Sequence, residues 1–378
     1  MNRLNFDLDE FLRGHWHQKP AVIRQGFIDF QDPISADELA GLALEPEIDS
    51  RLVTNDNGKW QAKHGPFEEA ELTQLAESHW QLIIQAANHW YEPLADLLQP
   101  FSSLPQWLLD DVMVCYSAPS GGVGPHIDQY DVFIIQGQGQ RRWRIGAKDT
   151  GQYQEKLAGD ALKQIEGFDA EIDVVLNPGD ILYIPPGFPH EGQSLTGSLS
   201  YSIGYRSPKQ VELVSHFADH LINHDLGDIH WHRPGWPAQS HNGQINLEAQ
   251  QQLTDMLLAQ FSNQPTINAA IGSLLSQPRH QLNLLPMEPA LSPDELVAEL
   301  DVGAQLIKTA GLKSLYFEAE PYVVYINGER YDLGSDNQKL VEALCNQQQL
   351  TLSDLMANDT AYKTMAELVN KGYWYLSE

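Results

Sequence analysis

His126 and Asp128 stand two residues apart in the segment Gly-Pro-His-Ile-Asp-Gln-Tyr-Asp, and His190 closes Ile-Leu-Tyr-Ile-Pro-Pro-Gly-Phe-Pro-His. In a β-strand a spacing of two puts both side chains on one face. A third ligand from a later strand would complete a set of two imidazoles and one carboxylate. Such a set takes one face of an octahedral metal and leaves the opposite positions open, which suits Fe(II) and oxygen chemistry. A bare His-x-Asp is a common accident of sequence. Here it gains weight from the turn-rich segments that flank it.

The ligands need strands to hold them, and the next stretch supplies one. Asp131 to Gln136 runs into Gly137-Gln138-Gly139-Gln140 and continues as Arg141-Arg142-Trp143-Arg144. Read as a symmetric four-residue hairpin, Gln136 opposes Arg141 and Ile134 opposes Trp143. Counting back by twos from Ile134 then reaches Val132, Tyr130, Asp128 and His126. That register turns Arg141 and Trp143 inward with the ligands and Arg142 and Arg144 outward, and a slip of one residue would exchange the pairs. An inward arginine is costly unless it meets an anion. The distal carboxylate of 2-oxoglutarate would satisfy it through a bidentate pair, and so would a structural Asp or Glu. Asn177-Pro178-Gly179-Asp180 is a turn, expected to launch the strand that ends at His190.

The remaining strands follow from the pattern of short apolar runs between Gly and Pro turns. Val112 to Tyr116, Asp131 to Gln136, Arg142 to Ile145, Ile172 to Leu176, Ile181 to Ile184 and Leu199 to Tyr205 indicate a jelly roll. Before them, a capping box at Ser35 and Glu38 opens a helix, and Glu68 to Leu98 reads as a second helical stretch. After Ser207-Pro208 come helices at Val211 to His224, Leu247 to Phe261 and Ile267 to Leu275. Ser292-Pro293-Asp294-Glu295 caps another helix, and Tyr322 to Ile326 is a strand ending in an Asn327-Gly328 turn. The expected class is α+β, divided as 1–208, 209–285 and 286–378.

Composition narrows the partners. The chain has 378 residues and a formal charge of −28, from 51 acidic against 23 basic residues. A field of that sign repels nucleic acid and anionic membrane and draws in cationic partners. Two cysteines, Cys115 and Cys345, make no disulfide framework. With no signal-like segment and no run of the ~20 apolar residues a membrane span needs, a cytoplasmic protein is expected. His216, His220 and His224, with His230 and His232, have ligand-like spacing but no carboxylate motif beside them. They are expected to form a solvated face or a subunit contact.

Three blocks in order, Gly-Gly-Val-Gly-Pro-His-Ile-Asp-Gln-Tyr-Asp-Val-Phe, Gly-Gln-Gly-Gln-Arg-Arg-Trp-Arg-Ile-Gly and Pro-Gly-Asp-Ile-Leu-Tyr-Ile-Pro-Pro-Gly-Phe-Pro-His, resemble the JmjC-type 2-oxoglutarate oxygenases. More narrowly, nearly the whole chain resembles the bacterial ribosomal oxygenases, which hydroxylate an arginine of a large-subunit (50S) ribosomal protein. The resemblance implies a JmjC double-stranded β-helix with N-terminal helices, a helical dimerisation unit and a C-terminal winged-helix-like domain. It implies that His126, Asp128 and His190 bind Fe(II), that Arg141 and Ser117 hold the distal carboxylate of 2-oxoglutarate, and that O2 is the oxidant. Many JmjC enzymes carry Lys where this chain and the ribosomal branch carry Arg. The family further implies a homodimer and a winged helix that does not grip DNA. Residues 286–378 agree, with 15 acidic against 6 basic residues, the wrong sign for phosphate.

A basic ribosomal protein segment is therefore the expected substrate, and the products would be succinate and carbon dioxide. Tyr130 would wall the pocket, with Asp131 or Glu191 as acidic contacts to a guanidinium. Two other classes compete. A cupin-type metal isomerase would bring extra His or Glu ligands on these strands. A non-catalytic acidic module would bind basic peptides without consuming 2-oxoglutarate.

Overall fold

Short strands with apolar residues on one or both faces must stack as sheets, because neither face can be left in water. The computed structural model, which describes residues 3–158, 162–355 and 358–377, resolves them into two main sheets. Their strands are β1 (Ala21–Ile23), β2 (Ser50–Asp56), β3 (Lys59–His64), β4 (Trp80–Ile84), β5 (Leu109–Ser117), β6 (His126–Ile127), β7 (Asp131–Gln136), β8 (Arg141–Gly146), β9 (Ala170–Leu176), β10 (Ile181–Ile184), β11 (Pro189–Ser194) and β12 (Ser198–Tyr205). The larger sheet has eight strands in the order β1-β10-β7-β12-β5-β4-β2-β3, and the smaller has four, β9-β8-β11-β6.

Residues from both sheets meet between them. Val132, Ile134, Leu182 and Ile184 of the larger sheet pack with Trp143, Ile145 and Leu176 of the smaller, and with Phe188. The opposite face of the larger sheet turns Phe133, Ile135, Tyr183 and Tyr201 toward Phe11, Phe27, Ile34 and Leu39 of the amino-terminal segment. There the capping box at Ser35 forms as expected, and its helix runs Ala36–Leu42.

Three expectations are corrected. The hairpin of β7 and β8 does not exist: β7 pairs with β10 and β12, whereas β8 pairs with β9 and β11. Residues 137–140 cross from one sheet to the other. Ile134 therefore faces Leu182 and Ser202, and Trp143 faces Val174 and Gly192. Arg141 and Trp143 nevertheless point inward, at 2% and 6% exposure, because alternation along β8 alone suffices. The turn at 177–180 launches β10, but His190 sits at the start of the following strand β11. The stretch 68–98 is not one helix. It breaks into a helix Glu69–Thr73, strand β4, and 3-10 turns at Ala87–His89 and Glu92–Leu97. β4 lies inside the sheet with Leu82, Ile83 and Ile84 all buried, and a run buried on both faces has no helical or strand period to read.

The chain forms two compact units rather than three consecutive blocks. One comprises Met1–Ser207, Pro278–Leu312 and Met365–Glu378, the other Pro208–Gln277 and Lys313–Thr364. The boundaries 209–285 and 286–378 are crossed because the helix Gln264–Ser276 packs on the sheet Ser314–Phe317, Glu320–Ile326, Glu329–Asp332. Gly272 permits this: a Cβ there would lie 2.6 Å from the Tyr325 ring. Asn327 and Gly328 have φ of 50° and 84°, the left-handed pair that a tight hairpin turn requires.

Candidate metal and cosubstrate site

His126 and His190 are direct partners across β6 and β11. Asp128 follows on the loop two residues beyond His126. The Nε2 atoms of both histidines lie 3.7 Å from Asp128 Oδ2, too far for a good hydrogen bond. Each ring is fixed from behind. His126 Nδ1 is 3.0 Å from the Gly124 carbonyl and His190 Nδ1 is 3.0 Å from the Phe188 carbonyl. A carbonyl only accepts, so Nδ1 carries the hydrogen and Nε2 turns its lone pair toward Asp128. That is the tautomer and support a metal ligand needs. His190 is 2% exposed. Burial, then the neighbouring His126 ring, lowers its pKa to about 4, against the opposing pull of Asp128. It is neutral at pH 7 and ready to ligate. Two imidazoles and a carboxylate, with their ligand atoms within 4.8 Å of one another, fit a divalent transition metal.

Arg141 enters the same interior. Its Nη2 donates to Gln81 Oε1 at 2.7 Å and to the Gly192 carbonyl at 3.2 Å, while Nη1 donates to Ser200 Oγ at 3.2 Å and Ser117 Oγ at 3.4 Å. The guanidinium lies 4.8 Å from the Trp143 ring centre. Every acceptor is neutral, and Nε is buried without a partner. A structural Asp or Glu on this arginine is therefore not found among the described residues. Burial pulls its pKa below the usual arginine value, yet arginine stays charged in proteins. Close approach here requires glycine at 192, where a Cβ would lie 2.7 Å from Arg141 Nε.

The expected acidic contacts lie elsewhere. Asp131 is buried on the opposite face of β7, bonded to the Tyr183 hydroxyl and to His17 Nδ1 at 2.9 Å. Glu191 faces outward and pairs with Arg144 at 2.7 Å, just as Arg142 Nε pairs with Asp173 at 2.7 Å. The outward arginines are thus solvated ion pairs. Tyr130 is a wall of the site: it packs on the inter-sheet core beside Asp128. Burial first, then the Asp128 charge, pushes its phenol well above 10.

Gly192 follows His190 by two on β11, whereas Gln81 and Ser200 on the Arg141 side are not legible in the sequence, because each reaches the site from a strand remote from the ligand segments. Nor is an acidic group next to Tyr130. A Cβ at Gly204 would lie 3.6 Å from Asp111 Oδ1, 3.7 Å from the Asp110 Cβ and 3.9 Å from the Tyr130 ring. Asp111 Oδ2 accepts from Gln85 Nε2 and the Ala86 amide, and burial raises its pKa. Asp110 pairs with Arg279, and His280 gathers with the two aspartates. The histidines at 216–232 form no comparable metal-holding group among the described residues.

Comparison with known proteins agrees with this geometry. A JmjC domain model matches residues 96–213 and a ROXA-like winged helix model matches 251–375. The Escherichia coli ribosomal protein uL16 3-hydroxylase is 43% identical over 99% of this chain and 98% of its own. The chain belongs to the JmjC ribosomal oxygenase family. A Haemophilus influenzae probable ribosomal oxygenase is 31% identical over 85% of this chain and 81% of its own. The crystal structure of the E. coli ribosomal oxygenase YcfD superposes with a TM-score of 0.94 at 43% identity, covering all of both chains. A second YcfD structure, in complex with cobalt and 2-oxoglutarate, gives 0.91 at 42% identity over the same extent. As a ribosomal oxygenase the chain therefore combines a JmjC barrel with a winged helix. No helix among the described residues is long and apolar enough to cross a membrane.

Proposed function

We propose that this ribosomal oxygenase is an Fe(II)- and 2-oxoglutarate-dependent dioxygenase that hydroxylates an arginine side chain of a large-subunit ribosomal protein. The observation that carries the cosubstrate is Arg141: a buried cation with four neutral acceptors, beside a His-Asp-His cluster, wants an anion. A relative crystallised with cobalt and 2-oxoglutarate supports the same reading.

In this reading His126, Asp128 and His190 hold the metal, and Arg141 with Ser117 receives the distal carboxylate. Bound iron, with 2-oxoglutarate and O2, supplies oxidative decarboxylation: one oxygen atom enters succinate, carbon dioxide leaves, and the other oxygen atom enters a carbon–hydrogen bond of the substrate. The chain's own part is positional. The Gly124 and Phe188 carbonyls lock the ligand tautomers, Tyr130 flanks the Asp128 carboxylate, and Trp143, Ile134 and Phe188 keep the interior apolar.

An arginine target is supported by Asp111, a buried carboxylate one tyrosine away from Asp128, and by the charge of −28 against a basic ribosomal protein. The uL16 hydroxylase among the relatives supports the ribosomal partner, and with it a cytoplasmic setting. A homodimer is supported by apolar side chains left exposed on the helices of the second unit, with Val211 at 67%, Ile222 at 72% and Leu257 at 62%. Competition between 2-oxoglutarate and succinate for the metal-loaded protein tests the cosubstrate. Mutually exclusive binding is expected, and independent binding would contradict it.

A further inference from the structure

The neutrality of the Arg141 surroundings depends on one residue. Gln81 lies on β4, directly opposite Ser117 of β5, and is 2% exposed. Its Oε1 accepts from Arg141 Nη2 at 2.7 Å and from Ser117 Oγ at 2.9 Å. Those partners hold the amide one way round: a flip would set its NH2 against the guanidinium. A Glu at this position would have the same shape and would accept the same two hydrogen bonds. It would also neutralise Arg141 permanently.

We propose that Gln81 is a positioning and specificity-determining residue, which orients Arg141 and Ser117 while leaving the guanidinium charge free for a cosubstrate that carries a distal carboxylate. The proposal rests on the reading of Arg141 as the cosubstrate anchor. A buried cation that already owns a carboxylate gains little from a second one. One that owns only neutral oxygens is oriented but unsatisfied, so its charge goes to the incoming anion. Gln81 belongs to a strand outside the segment that bears the metal ligands. It acts through Arg141 and Ser117 and touches no ligand of the metal.

The test is calorimetric titration of the cobalt-loaded protein, full length, with 2-oxoglutarate and with 2-oxobutyrate, which lacks the distal carboxylate. Wild type, Gln81→Leu, Gln81→Glu and Arg141→Ala are compared, together with the thermal midpoint of each with and without 2-oxoglutarate. Losing one hydrogen bond to a charged group weakens binding by about tenfold, which is the expectation for Gln81→Leu. Supplying an internal counter-charge weakens it by roughly a hundredfold or more, the expectation for Gln81→Glu. 2-Oxobutyrate binding is expected to be the same in all four proteins. The ligand-free midpoint of Gln81→Glu is expected at or above wild type, with the rise on adding 2-oxoglutarate lost. Equal weakening by Leu and Glu, or parallel loss of 2-oxobutyrate binding, would reduce Gln81 to packing and overturn the proposal. If Gln81→Glu does not fold, Gln81→Leu still decides: undiminished 2-oxoglutarate binding overturns it. An Arg141→Ala protein that binds 2-oxoglutarate like wild type would overturn the underlying reading as well.

Discussion

His126 and His190 face each other across neighbouring antiparallel strands, their ring centres 4.2 Å apart, although 64 positions separate them in the chain. The pairing makes the ligand pair a property of the sheet register. A slip of one residue along β11 would send the His190 ring to the outer face, where Glu191 now meets Arg144.

Replacing either histidine is therefore expected to remove metal and turnover together. His126→Ala or His190→Ala should lower succinate production by more than the ~10–100-fold that loss of an outer partner costs, with the fold largely kept. Succinate release and bound iron, measured on the same sample, check this. Near-wild-type succinate from either variant would remove the metal assignment.

The parity of β8 sets a second expectation. Arg141→Ala should raise the 2-oxoglutarate requirement by roughly 30-fold or more, since truncating one partner of a buried charged pair costs about 2–5 kcal/mol. Arg142→Ala, which breaks an exposed pair with Asp173, should leave it near wild type. Initial rates against 2-oxoglutarate concentration separate the two, and equal effects or the reverse order would contradict the inward placement of Arg141.

Both expectations are legible in the amino-acid sequence, and the reason is local. His126, Asp128 and His190 sit in turn-bounded segments whose residue types announce the chemistry, and the side on which Arg141 points follows from alternation within one strand. What the sequence hides is which strands become neighbours. The four residues Gly137 to Gln140 look like a hairpin turn but carry the chain between sheets. Gln81 is hidden for the same reason, since only the pairing of β4 with β5 brings it to Ser117. Asp131 and Glu191 stand an odd number of residues from Asp128 and His190, so alternation turns them to the opposite face, toward Tyr183 and Arg144. The interleaving of the two compact units is equally hidden, because a helix and a sheet from separate segments share one core.

Charge supplies a third expectation. Hydroxylation of a basic ribosomal peptide should slow markedly as salt rises, mostly through its apparent Michaelis constant. The Debye length falls from ~10 Å at 0.1 M to ~3 Å at 1 M, and steering weakens with it. Decarboxylation of 2-oxoglutarate without peptide should change much less. Peptide hydroxylation that ignores salt would mean that the acidic surface serves solubility alone.

The proposed reaction places an oxygen atom on an arginine of a large-subunit ribosomal protein at the expense of 2-oxoglutarate. Tandem mass spectrometry of 50S ribosomal proteins, incubated with the iron-loaded enzyme, 2-oxoglutarate and isotopically labelled O2, reads it directly. One labelled oxygen is expected on a single arginine, with succinate formed in equal amount and both absent with His126→Ala. Label on a different residue type would contradict the arginine assignment, and succinate without any labelled protein would contradict the substrate class.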